Sequence, residues 1–284
     1  MAVQNHLKIA VTGASGFIGR HVLAELALHP VAIVAVTRSA ARLADAGAAV
    51  RVVEMNIAQV DAGAYDRLGR PDVLIHLAWD GLPNYGSLHH FETELPRQYR
   101  FLKSMIEAGL PALLVTGTCF EYGMQSGVLL EDLTPLPGNP YGYAKDALRR
   151  QVGFLCATHP CAFIWTRLFY MYGDGQPRNS LLPQLQEAIA RGDKVFNMSG
   201  GEQLRDYLPV REVARFVVKL ALHHCGSTIV NICAGQPISV RRLVESWIQQ
   251  NDWKITLNLG YYPYLDHEPM AFWGDRRRLD TILG

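Results

Sequence analysis

Tyr141 and Lys145 stand four residues apart in the stretch Asn139-Pro140-Tyr141-Gly142-Tyr143-Ala144-Lys145. On a helix that spacing puts both side chains on one face, within reach of each other. A phenol is a weak acid near neutral pH, with a reference pKa of about 10, and a cation held beside it favours the phenolate. The pair therefore reads as a proton-transfer device for an oxygen-bearing carbon. Tyr143, two residues from Lys145, points to another helix face and reads as a packing or substrate contact.

Near the N-terminus, Thr12-Gly13-Ala14-Ser15-Gly16-Phe17-Ile18-Gly19-Arg20 sets glycines in a Gly-x-x-Gly-x-x-Gly spacing. An apolar β-branched run precedes it and a helical pattern follows. Glycine is needed where backbone turns tightly, approaches a pyrophosphate or lets a helix pack on a strand. The helix N-terminus then offers amide donors and a favourable dipole to phosphate. The context predicts a dinucleotide site drawing on Gly13, Ser15, Gly16, Phe17, Ile18 and Gly19. An NAD site usually places an Asp or Glu at the end of the second strand, whereas this chain has Val36-Thr37-Arg38-Ser39. The Arg38 fork suits a 2′-phosphate, with Arg20 as a helper, so the expected cofactor is NADP, with NAD possible. The competing reading of Arg38 is a solvated surface residue.

These residues need a scaffold. Short β-branched runs at 8–12, 32–37, 50–54, 73–77 and 112–116 alternate with helical patterns, including 18–28 and 91–108. Apolar strands alternating with helices predict an α/β fold, a Rossmann-type doubly wound parallel sheet. Further strands are expected at 162–167 and 228–232, and helices at 181–191, 210–222 and 240–250. The aromatic-rich tail 261–273 has no clear period. The expected organisation is a dinucleotide-binding domain over 1–166 and a smaller C-terminal substrate domain over 167–284, with the 228–232 strand returning to the sheet.

Composition excludes several classes. The 284 residues carry a formal net charge of +1, so neither nucleic acid nor an anionic membrane is an expected partner. Nothing approaches the ~18 unbroken apolar residues of a membrane span, and the first residues lack a signal-peptide layout. Five cysteines (Cys119, Cys156, Cys161, Cys225, Cys233) form no Cys-x-x-Cys pair. They read as reduced thiols of a cytoplasmic protein rather than disulfides or a zinc site, and no metal is expected. His76 reads as a structural strand-end histidine.

Taken in order, the glycine loop, Ile75-His76-Leu77-Ala78, Thr116-Gly117-Thr118-Cys119-Phe120-Glu121-Tyr122-Gly123, the Tyr141/Lys145 pair, Arg167-Leu168-Phe169-Tyr170-Met171-Tyr172-Gly173 and Gln203-Leu204-Arg205-Asp206-Tyr207 form a recognisable set. The chain resembles extended short-chain dehydrogenases/reductases of the NAD-dependent epimerase/dehydratase group, which mostly act on nucleotide-activated sugars. The resemblance implies that Thr118, four positions before Tyr122-Gly123, completes the catalytic set with Tyr141 and Lys145. Its hydroxyl would bond the reacting oxygen; a strand-end cap on local backbone is the plainer role. It implies that Lys145 lowers the tyrosine pKa and holds the nicotinamide ribose. Leu77 and Ala78 would line the cofactor, and Asn56 stands where relatives carry an Asp on adenine. Arg205 and Asn179 would hold the sugar diphosphate, although a surface Arg205–Asp206 pair and a helix cap are the plainer roles. Trp79, with Asp80 and Tyr85 beyond it, would meet the sugar, and Glu94 stands near the position of a usual Asn. The resemblance also implies a homodimer through 91–108 and 141–157.

The residues after Thr118 bear on the reaction. Relatives that dehydrate carry Asp-Glu there, for proton abstraction and hydroxyl expulsion; this chain has Cys119-Phe120, with Glu121 displaced by one position. Cys119 reads as a small buried residue. Reduction of a C4 ketone on a nucleotide-linked 4-keto-6-deoxyhexose, dTDP-linked by the likeness of the tail, is the expected reaction. A nucleotide-sugar 4-epimerase with tightly bound NAD is the alternative.

Overall fold

The computed structural model describes residues 6–59, 63–223, 226–264 and 268–284. The strands, in chain order, are β1 (Lys8–Thr12), β2 (Ala32–Thr37), β3 (Val50–Glu54), β4 (Val73–His76), β5 (Ala112–Thr118), β6 (Gly127–Leu129), β7 (Ala162–Leu168), β8 (Tyr170–Tyr172), β9 (Val195–Asn197), β10 (Leu204–Pro209), β11 (Thr228–Ile232), β12 (Pro237–Ser239), β13 (Thr256–Asn258) and β14 (Phe272–Gly274). Seven of them form a parallel sheet in the order β3-β2-β1-β4-β5-β7-β11. The direction of winding reverses between β1 and β4, where such sheets bind ligands beyond the carboxyl ends of their strands.

The helices are α1 (Phe17–Leu26), α2 (Ala64–Arg67), α3 (Leu95–Glu107), α4 (Pro140–Thr158), α5 (Leu181–Arg191), α6 (Val210–Leu222), α7 (Val240–Gln250) and α8 (Arg277–Leu283). Alternate strand residues serve opposite faces. Ile9, Val11, Ile33, Ala35, Ile75 and Leu114 join the core under α1 and α6, while Ala10, Val34, Val36, Leu74, Leu113 and Val115 join the core under α3 and α4. This is why the central strands read as unbroken apolar runs. Val11, Leu74 and Leu114 are fully buried, each contributing roughly 1.5–3 kcal/mol.

A smaller core gathers Leu185, Ala188, Phe196, Val244, Trp247 and Ile255 from α5, β9, α7 and the approach to β13. β11 pairs with β7, so both ends of the chain contribute to one sheet. The tail without period contains β14, which pairs parallel with β6. A three-residue strand is too short to show a period. The helix expected at 91–108 starts instead as a π-turn over His90–Glu94 and becomes α-helical at Leu95. Pro96 lacks the N–H that would continue an i→i−4 ladder back through that turn. Cys119, Cys156, Cys161 and Cys233 are free thiols, and Cys225 lies outside the described residues. Among the described residues no helix is long and apolar enough to cross a membrane.

Candidate active site

The glycine loop turns between β1 and α1 with Gly13 at φ +69°, a left-handed conformation that L side chains rarely adopt. A Cβ at Gly13 would lie 2.8 Å from the Ala78 backbone nitrogen, and one at Gly19 would lie 2.2 Å from the Gly13 carbonyl oxygen. Both glycines are therefore required by close backbone approach. Beyond them opens a cavity of about 550 Å³ lined by Gly13, Ser15, Gly16, Arg38, Asn56, Leu77, Ala78 and Trp79, among others. A backbone cradle at the amino end of α1 and a long cavity across the switch point fit a dinucleotide.

The charge around this cavity is basic at one end. Arg38 and Arg42 lie on it beside Asn56 and Ile57, and Arg97 and Arg100 reach it from α3. Arg38 meets Asp80 at 3.6 Å, both side chains being more than half exposed, a contact that holds little. Arg20 does not join them: it pairs with Asp45 at 3.2 Å and donates to the Arg42 carbonyl.

At the floor of the cavity runs a chain of buried polar groups. Thr12 Oγ1 bonds His76 Nδ1 at 2.8 Å, and His76 Nε2 bonds Gln98 Oε1 at 2.6 Å. Gln98 Nε2 donates to Glu94, which also accepts from the Asp80 amide at 3.2 Å. Burial, then the Lys145 charge, lowers the His76 pKa to about 3, against the Gln98 hydrogen bond. His76 is therefore neutral in the native state and must charge on unfolding in acid. Its contribution is complete above the unfolded pKa near 6.5 and is lost as pH falls from there towards 3. The loss expected by pH 3 is on the order of 4–5 kcal/mol. Denaturant midpoints across that range, compared with His76→Gln, check this: the difference between the two proteins should narrow steadily as acid is added.

Tyr141 and Lys145 open α4, where Asn139 caps the helix by accepting from the Gly142 amide at 2.8 Å and Pro140 takes the first turn. Gly142 lets this turn press on the loop after β5, since a Cβ there would sit 2.5 Å from the Phe120 carbonyl oxygen. Tyr141 and Lys145 are both buried. Lys145 Nζ donates to the Thr116 carbonyl at 2.8 Å and lies 3.9 Å from the centre of the Trp79 ring. Burial lowers its pKa to about 7, against the pull of Glu121 and Glu94. Tyr141 goes the other way. Burial pushes the phenol up, helped by Tyr85, Glu121 and Cys119, and only the hydrogen bond with Thr118 draws it back. Lys145 Nζ lies 5.9 Å from the centre of the Tyr141 ring, with its nearer contacts at Thr116 and Trp79, and burial outweighs the depression expected of it.

Thr118 ends β5, where it caps the local backbone and lies against Tyr141. Its hydroxyl oxygen accepts from the Phe120 amide at 3.3 Å, and its side chain meets Tyr141. The group that fixes it is Glu121, fully buried, whose Oε1 accepts from the Thr118 amide and from Trp165 Nε1, each at 2.9 Å. Glu121 Oε2 accepts from buried Arg167 at 2.7 Å. Gly117 leaves room for this: a Cβ there would fall 2.2 Å from Trp165 Nε1 and 2.3 Å from Glu121 Oε1. Cys119 is buried, and burial pushes its thiol up, so it is not an acid at neutral pH.

On the far side of Tyr141, Tyr85 and Phe120 form an aromatic wall with ring centres 4.9 Å apart. Arg205 is buried beyond it and is not paired with Asp206. Its Nη2 and Nε donate to Glu268 Oε2 at 2.9 and 3.3 Å, and Tyr170 donates to the same oxygen at 2.9 Å. Asp206 instead accepts from the Ala234 and Gly235 amides. Asn179 is exposed in the turn ahead of α5.

The match to a family model for the NAD dependent epimerase/dehydratase family runs over residues 9–233, from β1 through β11. The chain belongs to that family. Among curated relatives of this epimerase/dehydratase chain is dTDP-6-deoxy-L-talose 4-dehydrogenase (NAD(+)) of Aggregatibacter actinomycetemcomitans, 29% identical over 271 residues, covering 94% of this chain and 99% of the relative. GDP-6-deoxy-D-talose 4-dehydrogenase from the same organism is 25% identical over 98% of this chain and 92% of its own. The solved structure of MoeE5 in complex with UDP-glucuronic acid and NAD is similar at TM-score 0.83 and 28% identity, over 98% of this chain and 92% of that one.

Residue reading alone passed over several members of this epimerase/dehydratase site. Glu121 was visible as a displaced carboxylate, but its partners Trp165 and Arg167 lie 44 and 46 positions away. Arg97 and Arg100 carried a signal, a pair three apart on one helix face with Gln98 between them, that only a known cavity makes meaningful.

Proposed function

We propose that this chain reduces the C4 ketone of a nucleotide-linked 4-keto-6-deoxyhexose, dTDP-linked, with NADPH. The observation that carries the reading is the Tyr141 phenol, kept protonated by burial, in contact with the Thr118 hydroxyl and packed edge-on against Trp79, which lines the cavity. A ketone becoming an alkoxide needs a proton donor there, and a buried phenol is one. The lack of a carboxylate at positions 119 and 120, with Cys119 held as a thiol, speaks against dehydration. Two relatives named as 6-deoxytalose 4-dehydrogenases support the sugar class.

Bound NADPH would supply the hydride that forms the new C–H bond at C4. Gly13, Ser15, Gly16, Phe17, Ile18 and Gly19 would hold its pyrophosphate, Asn56 would lie at its adenine, and Leu77 and Ala78 along its length. Tyr141 passes its proton to the ketone oxygen as the carbonyl π bond breaks. Thr118 has one O–H to donate, and its oxygen is already fixed by the Phe120 amide. Lys145 keeps a donor for the nicotinamide ribose. Residues 167–284 supply the sugar side, with Arg205 the cation for the diphosphate once Glu268 is displaced, and Asn179 near it. Arg38, beside Arg42 on the cavity wall, favours a 2′-phosphate.

The test is incubation with dTDP-4-keto-6-deoxyglucose, with and without a 3,5-epimerase, following NADPH and NADH absorbance. NADPH should be consumed; no oxidation of either cofactor with either sugar would sink the reading. Interconversion of C4 epimers without net cofactor change, on NAD that survives purification, would make the protein a 4-epimerase. In Arg38→Ala, loss of one charge-assisted phosphate contact should raise KM for NADPH about ten- to a hundredfold and leave NADH use within twofold. Equal effects on the two cofactors would remove Arg38 from the phosphate.

A further inference from the structure

Trp79 lines the cavity that opens beyond the glycine loop. Its indole N–H donates to His90 Nδ1 at 3.1 Å. His90 is fully buried, and its Nε2 bonds the Asn84 carbonyl at 2.8 Å. An indole nitrogen is a donor only, so Nδ1 accepts and Nε2 carries the proton. Both ring nitrogens of His90 are thus committed, and the indole is held in one orientation. Its face lies 3.9 Å from Lys145 Nζ, and its ring meets Tyr141 edge-on at 5.9 Å between centres.

We infer that Trp79, oriented by His90, is a positioning residue of the proton-transfer site, its indole face seating the Lys145 ammonium and aiming it at the bound cofactor. An ammonium has three donors and no acceptor. One is spent on the Thr116 carbonyl and one side of the cation rests on the indole, which leaves one outward direction. A desolvated cation–π contact also favours the charged form of a lysine that burial otherwise neutralises. Burial lowers the Lys145 pKa to about 7, and loss of the cation–π contact should lower it further. The titratable groups around Nζ are Glu94, Glu121, His76, His90 and Tyr141, all retained when Trp79 alone is changed.

The activity arm of the test rests on the proposed function; a second arm does not. In the cofactor-free chain, ¹³C-lysine NMR assigned with Lys145→Arg reads the Lys145 titration directly. Trp79→Leu should move it down by about one pH unit, and Trp79→Phe, which keeps a ring face, should restore most of that shift. With keto sugar and NADPH, the alkaline limb of kcat should move in step. An unchanged titration in Trp79→Leu, or a Phe variant that tracks Leu, would overturn the inference. Should Trp79→Leu fail to fold, His90→Phe keeps the indole but removes the acceptor that orients it. The Lys145 titration should then fall towards lower pH, and an unmoved value would overturn the inference equally. Absence of turnover in the unaltered chain would count against the ketoreductase reading alone, because the NMR arm is read without cofactor or sugar.

Discussion

Tyr141→Phe is expected to lower keto-sugar reduction by a factor of about 10² to 10⁴, the usual contribution of a positioned general acid. The variant should bind NADPH within a few-fold of the unaltered chain. The phenol oxygen is the only atom removed, and the ring keeps its contacts with Trp79, Tyr85, His90 and Phe120. Fluorescence titration with NADPH separates the two quantities, and a thermal melt checks that the ring still packs. Turnover within a few-fold of normal would show that the proton comes from elsewhere, with Thr118 the remaining hydroxyl in contact. Because burial keeps the phenol protonated, its own ionisation should not limit the reducing direction at neutral pH, where any alkaline fall follows Lys145 instead, whereas the oxidising direction, which needs the phenolate, should gain from the phenol as pH rises.

Glu121→Gln should be the most damaging change outside the substituted phenol. It leaves Arg167, 1% exposed, as a buried charge without its carboxylate. Removing one partner of such a pair costs about 3–5 kcal/mol, well above the worth of the pair itself, because the remaining charge stays desolvated. The midpoint of chemical denaturation should fall accordingly. The amide of Thr118 loses its ionised acceptor at the same time, so kcat should drop in whatever fraction remains folded. A loss under about 1 kcal/mol would mean that Arg167 escapes to solvent when the charge opposite it is gone.

Much of this architecture could be read from the chain, for reasons that differ between its parts. Val11, Val34 and Leu114 sit in strands buried on both faces, and such strands announce themselves as apolar runs between helical patterns. Gly13 and Gly19 were legible because only glycine meets the distances found there. Tyr141 and Lys145 were legible because one helix turn holds both. Their electrostatics were not. The direction of the Tyr141 shift depends on burial first, then on Tyr85, Glu121 and Cys119, which fold in from two separate segments, and the indole that engages Lys145 comes from beyond β4. Arg205 reads from the chain as a diphosphate ligand or a surface partner of Asp206, and its burial against Glu268 was hidden because that residue lies 63 positions further on, in a tail with no periodic signal. Local spacing reveals what a single element contributes; it is silent about charges that tertiary packing brings together.

The packing behind Thr118 bears on how such a chain can change over generations. Gly117, Glu121, Trp165 and Arg167 interlock so closely that a methyl group on the first would strike two of the others. A change at one of them disturbs its partners, so a path between alternatives should alter several at once. The Tyr85 ring carries no comparable obligation to the sheet. New sugar preferences should therefore arise by drift at that position and its exposed neighbours, while the proton-transfer apparatus remains frozen behind them.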